Sequence, residues 1–121
     1  MTRFRWGTAT DVGRVRNVNQ DSVFSVEGFF AVADGMGGHR GGEVASAVAL
    51  ESLSAALPVL STDDLLDAIS ESNLAVLERA NADPSLRGMG TTLCMLALVD
   101  DGTGEPALVL ANVGDSRIYQ Y

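Results

Sequence analysis

Hydrophobic and polar positions fall into two periods along the chain. Phe29-Phe30-Ala31-Val32-Ala33 is an unbroken apolar run of the kind that makes a buried strand, and it meets Asp34 followed by Gly35, Gly37, Gly38, Gly41 and Gly42. Residues 22–27 form a second strand-like run just before it, separated only by Gly28, so the two read as arms of a hairpin. Antiparallel pairing then carries Asp21, before the first arm, and Asp34, after the second, to the same end of the sheet. From Val44 the period lengthens: Val44, Ala45, Val48, Ala49, Leu53, Ala56 and Leu57 recur at helical spacing until Pro58. A second helix starts at Ser61 or Thr62, which can cap the acidic first turn Asp63-Asp64, and runs through Leu66, Ile69, Val76 and Ala80 to about Asn81. Each helix has one apolar stripe, to be covered by a sheet or by the other helix. Residues 90–99 and 106–113 are β-rich, with a turn at 100–104 between them. Residues 4–10 and 116–121 read as further strands, the last leaving an open edge.

Composition narrows the classes. A length of 121 residues, 46% hydrophobic, fits one folded domain with a modest core. Eight arginines against sixteen acids give a net charge of −8, which argues against nucleic acid and anionic membrane as partners. A single cysteine, Cys94, forms no internal disulfide, the N-terminus has no signal-like apolar core, and no run is long enough to cross a bilayer. A reducing cytoplasm is the expected setting. One histidine and one cysteine also leave no conventional zinc site.

The chemistry concentrates where the apolar run meets the glycines. A glycine-rich turn between strand and helix suggests phosphate on backbone amides, but Asp34 at its start would repel a bare phosphate. The dinucleotide fingerprint from Gly35 fails at Arg40, and the Walker pattern spanning Gly37 and Gly42 has Glu43 where lysine is required. A hard divalent cation held by carboxylate, backbone carbonyl and water reconciles the acid with the phosphate-binding turn. Other phosphatase chemistries lack their residues. Cys94 is not followed by an arginine at cysteine-phosphatase spacing, and Asp34-Gly35-Met36 lacks the second acid of an aspartyl-phosphate frame.

Four motifs carry a resemblance. Arg16-Asn17-Val18-Asn19-Gln20-Asp21, then Val32-Ala33-Asp34-Gly35-Met36-Gly37-Gly38-His39, then Gly90-Thr91-Thr92, then Gly114-Asp115-Ser116-Arg117 resemble, in order and spacing, the bacterial metal-dependent serine/threonine protein phosphatases of type 2C, the PPM family. The resemblance covers the whole chain, residues 1–121, as one partial catalytic domain: the N-terminal half, without the later segments that bring further metal-binding aspartates. It implies an α+β fold, half of an α-β-β-α sandwich in which antiparallel sheets carry two outer helices.

The resemblance also implies roles. Two Mn²⁺ or Mg²⁺ ions would be held by Asp34 as bridging ligand, by the backbone carbonyl of Gly35 and by Asp21, with a third, weaker site at Asp115. Water made acidic by the two cations would attack phosphorus without a phospho-enzyme. Arg16 would take the substrate phosphate through its planar fork. His39, the only histidine, is the candidate acid for the leaving alkoxide. Plainer readings stand beside these: Asp34 and Asp115 in simple Asp–Gly turns, Asp21 as a cap before Ser22, Arg16 as a solvated charge, His39 on a turn surface. The implied function is hydrolysis of phosphoserine and phosphothreonine in proteins that serine/threonine kinases modify. Half a sandwich exposes strand edges, and self-association through them is a further expectation. The alternative is a non-catalytic, phosphatase-like module that binds a phosphorylated partner and regulates.

Overall fold

The computed structural model describes residues 3–38 and 40–121. Strand β1 (Asp21–Val26) and strand β2 (Phe29–Met36) form the expected hairpin, closed by Glu27 and by Gly28 at φ 82°. A side chain at that φ would be strained, which is why glycine closes the turn. Strand β3 (Gly90–Thr91) pairs with the far end of β2, β4 (Leu93–Asp100) with its near end, and β5 (Pro106–Val113) with β4. All pairings are antiparallel, and the main order is β1-β2-β4-β5.

One face of this sheet is the core. Phe29, Ala31, Ala33 and Gly35 of β2 alternate inward, as do Leu93, Met95, Ala97 and Val99 of β4. Helix α1 (Gly41–Ala55) lies on that face through a stripe of small residues, Gly42, Ala45, Ser46 and Ala49, ending in Leu53. Small side chains let the helix approach the strands closely, and helix α2 (Thr62–Ala82) packs behind it through Leu65, Ala68, Ser72 and Val76. Ser61 caps α2 as anticipated: its side chain accepts from the Asp64 N–H at 3.1 Å. No helix among the described residues is long and apolar enough to cross a membrane.

Among the described residues no helix lies on the opposite face. Val32, Leu108 and Leu110 are each about half exposed there, at 46%, 55% and 47%. Residues 116–120 cross part of this face and leave an apolar groove of about 490 Å³. The molecule is therefore an α+β half-sandwich, with helices on one side of one antiparallel sheet.

Several sequence expectations are corrected. Residues 4–10 are not a strand: Phe4 and Trp6 set their rings edge-on against Phe30, at 5.4 and 5.2 Å, and bond to side chains of Glu27 and Ser25 rather than to a ladder. Residues 116–121 are likewise outside the sheet. Strand β2 does not stop at Ala33 but continues through Asp34 and Gly35, because β3 supplies a partner there. Helix α1 begins at Gly41, ahead of Val44, and the β-rich run from 90 to 99 is divided at Thr92.

Candidate functional site

Asp21 and Asp34 are direct cross-strand partners, at the end of the β1–β2 hairpin away from its turn. Alternation along β2 turns Asp34 to the helix-free face, with Phe30 and Val32, and the register puts Asp21 beside it. With Asp11, Arg16, Asn19 and Gln20 they line a polar cavity of about 290 Å³.

The cavity walls are held by backbone bonds made to particular side chains. The Gln20 carbonyl accepts from the Gly35 N–H at 3.0 Å and from Ser46 Oγ at 2.8 Å, so the residue before Asp21 is tied at once to β2 and to α1. Ser46 Oγ also lies 2.9 Å from Ser22 Oγ. Asp21 N–H donates to Asn19 Oδ1 at 3.0 Å, and Asn19 Nδ2 donates to Thr10 Oγ1 at 2.7 Å, which brings the N-terminal segment to the rim. On the other wall, Asp34 N–H donates to Thr92 Oγ1 at 3.1 Å and the Asp34 carbonyl accepts from Thr92 N–H at 2.9 Å.

Gly35 is required by contact rather than by turn geometry. A Cβ there would lie 1.8 Å from the Gly42 carbonyl oxygen, so the first turn of α1 rests directly on the strand beside Asp34. Partial desolvation, with the Asp34 carboxylate as hydrogen-bond partner and like charge, raises the Asp21 carboxyl above its ordinary range, and Arg16 pulls it the other way. Two facing carboxylates at a polar concavity repel each other until a proton or a cation comes between them. An all-oxygen donor set of this kind fits a hard divalent cation, although the described residues contain no group of three or more acids, histidines or cysteines placed to hold one.

Of the residues singled out from sequence, Arg16, Asp21 and Asp34 line one cavity, and Gly35 follows Asp34 on β2 with its Cα side against α1. Asp115 is exposed and does not line it, but its turn is tied to the site: Ser116 Oγ lies 2.7 Å from Thr92 Oγ1. His39 lies outside the described residues. Gln20, Ser46 and Thr92 hold the site without having been assigned roles. Thr92 stood within a noted motif, whereas Ser46 could have been found as a hydroxyl on the apolar stripe of α1.

Known proteins resemble the chain in sequence and fold. The family model described as "Protein phosphatase 2C" matches residues 13–121. The serine/threonine protein phosphatase PstP of Mycobacterium tuberculosis is 39% identical over 95% of this chain, which corresponds to 22% of PstP. The serine/threonine phosphatase stp of Listeria innocua is 39% identical over 91% of the chain and 47% of its own length. The crystal structure of the PstP catalytic domain in complex with two manganese ions superposes with a TM-score of 0.83 at 34% identity, covering 95% of this chain and 50% of that one. The chain thus spans about half, or less, of the relatives it matches. A family match over residues 13–121, with the fold of the solved relatives, leads to one assignment: the chain belongs to the protein phosphatase 2C family.

Proposed function

We propose that residues 1–121 are one part of a metal-dependent catalytic domain that hydrolyses phosphoserine and phosphothreonine in proteins. The observation that carries this reading is the pairing of Asp21 with Asp34 across β1 and β2, beside Arg16 in a polar cavity. Asp34 and Asp21, with the Gly35 carbonyl, would hold Mn²⁺ or Mg²⁺, and Asp115 would serve a further, weaker ion. Two such cations supply Lewis acidity, lowering the pKa of water and neutralising charge that builds on a phosphoryl group. Arg16 presents a planar fork that orients the phosphate. Cys94 takes no part: burial pushes its thiol up, and it lies in the apolar groove rather than the polar cavity.

Phosphoproteins made by serine/threonine kinases are the proposed substrates, and a cytoplasmic signalling role fits the single cysteine and acidic charge. A second reading, a non-catalytic phosphopeptide-binding module, is favoured by one observation: among the described residues no third acid, histidine or cysteine is grouped with Asp21 and Asp34 closely enough to hold an ion.

Titration calorimetry with Mn²⁺ and with a phosphopeptide separates the two. Asp34→Asn should weaken Mn²⁺ binding roughly 100-fold. Arg16→Ala should weaken phosphopeptide binding about thirtyfold. Little turnover is expected from the chain alone, and turnover should appear when the remainder of a family domain is supplied. A whole domain with intact aspartates that hydrolyses no phosphopeptide overturns the enzyme reading, and tight phosphopeptide binding by the chain alone without Mn²⁺ favours the module.

A further inference from the structure

Thr92 occupies an unusual place in the sheet. Opposite Asp34 an ordinary ladder would exchange two backbone bonds, but only one is present: Thr92 N–H donates to the Asp34 carbonyl at 2.9 Å. The return bond, from Asp34 N–H, goes to the Thr92 hydroxyl at 3.1 Å. The Thr92 carbonyl instead accepts from Thr91 Oγ1 at 2.9 Å, and the strand is interrupted at this residue. A side chain has replaced the backbone as the group that fixes the amide of Asp34.

That hydroxyl has a second partner. Ser116 Oγ lies 2.7 Å away, and the Ser116 carbonyl accepts from Asn112 Nδ2 at 2.8 Å. The methyl group is used as well. Gly114 adopts φ 102°, and a Cβ there would lie 2.7 Å from Thr92 Cγ2, so the turn carrying Asp115 is seated against Thr92. Thr92 is only 5% exposed, and it joins two segments that no backbone ladder connects.

We infer that Thr92 is a positioning residue: its hydroxyl locks the Asp34 backbone to the Gly114–Ser116 turn, so that Asp34 and Asp115 are held in fixed relation through one side chain. Its effect on metal rests on the reading of Asp34 as a ligand, while the mechanical coupling does not. Valine keeps the shape and removes the hydroxyl, and serine keeps the hydroxyl and removes the methyl.

The coupling is read first without metal, by amide hydrogen exchange in the full chain. Thr92→Val should speed exchange at Asp34 and at Ser116 by about tenfold, with Thr92→Ser close to wild type at Asp34. In Mn²⁺ titrations Thr92→Val should bind about tenfold more weakly, and Thr92→Ser should restore binding. Unchanged exchange at Asp34 in a folded Thr92→Val protein overturns the inference, as does a Thr92→Ser protein that loses as much as the valine. Should Thr92→Val fail to fold, Ser116→Ala decides: faster exchange at Asp34, one bond removed, supports the coupling, and no change refutes it. A wild-type chain that binds no Mn²⁺ defeats the metal reading alone, since the exchange measurement still decides the coupling.

Discussion

At Gly35 there is no volume for a side chain, because the atom a Cβ would strike is a backbone carbonyl of α1 and not the end of a flexible group. Relief requires the helix to lift from the strand, which would also strain the bonds that Gln20 makes to Gly35 and Ser46. Gly35→Ala is therefore expected to destabilise the fold by roughly 3 kcal/mol. A urea titration monitored by circular dichroism checks this, and a midpoint equal to wild type would show that α1 yields easily. Gly42 is constrained in the same way, since its Cβ would lie 2.9 Å from the Gly35 carbonyl carbon. These contacts show why the glycines were read only in part. A glycine in a sequence signals freedom to turn, but the crowding that demands it here comes from a helix six residues further on, and no local pattern displays that.

The elements were legible where periodicity reports a face that is buried. Strand β5, helix α2 and its Ser61 cap lie where alternation and the acidic first turn placed them. Residues 4–10 and 116–121 misled because alternation indicates which side chains are apolar, not whether a neighbouring strand offers hydrogen bonds. Both segments cross the helix-free face as packed coil, using Phe4, Trp6 and Ile118 as apolar contacts there. The junction after α2 shows how a short polar signal acts on an element. Asp83 accepts from Ser85 Oγ and Ser85 N–H, at 2.7 and 3.0 Å, and closes the 3-10 turn Pro84–Leu86 that leads into β3. Those two bonds lower the Asp83 carboxyl below its ordinary 3.8. A depressed acid stabilises the fold above the unfolded value and loses that contribution as pH falls through the folded one. The melting temperature of wild type should therefore exceed that of Asp83→Asn above pH 3.8, and the difference should fade with further acidification. A difference that persists into strong acid would assign the effect to shape instead of charge.

For the molecule as a whole, the distribution of apolar surface follows from one sheet having helices on one side only. The core face is closed by α1 and α2, while Val32, Leu108 and Leu110 stay partly open on the other. Self-association through this face is the expected behaviour of the chain alone. Replacing Leu108 and Leu110 by threonine should lower it, seen as a sedimentation coefficient that no longer rises with concentration. A wild-type coefficient constant over the same range would refute the expectation. Asp21 and Asp34 sit on this same face, so whatever covers the apolar groove adjoins the polar cavity.

The register of β1 against β2 makes the meeting of Asp21 and Asp34 a matter of parity. Adding a single residue between Asp21 and Val26 would swing the first carboxylate through the sheet to the side of Ser46, whereas adding two would return it to its own side one pleat further along. Length changes in this arm are thus filtered as odd or even before any question of residue type arises.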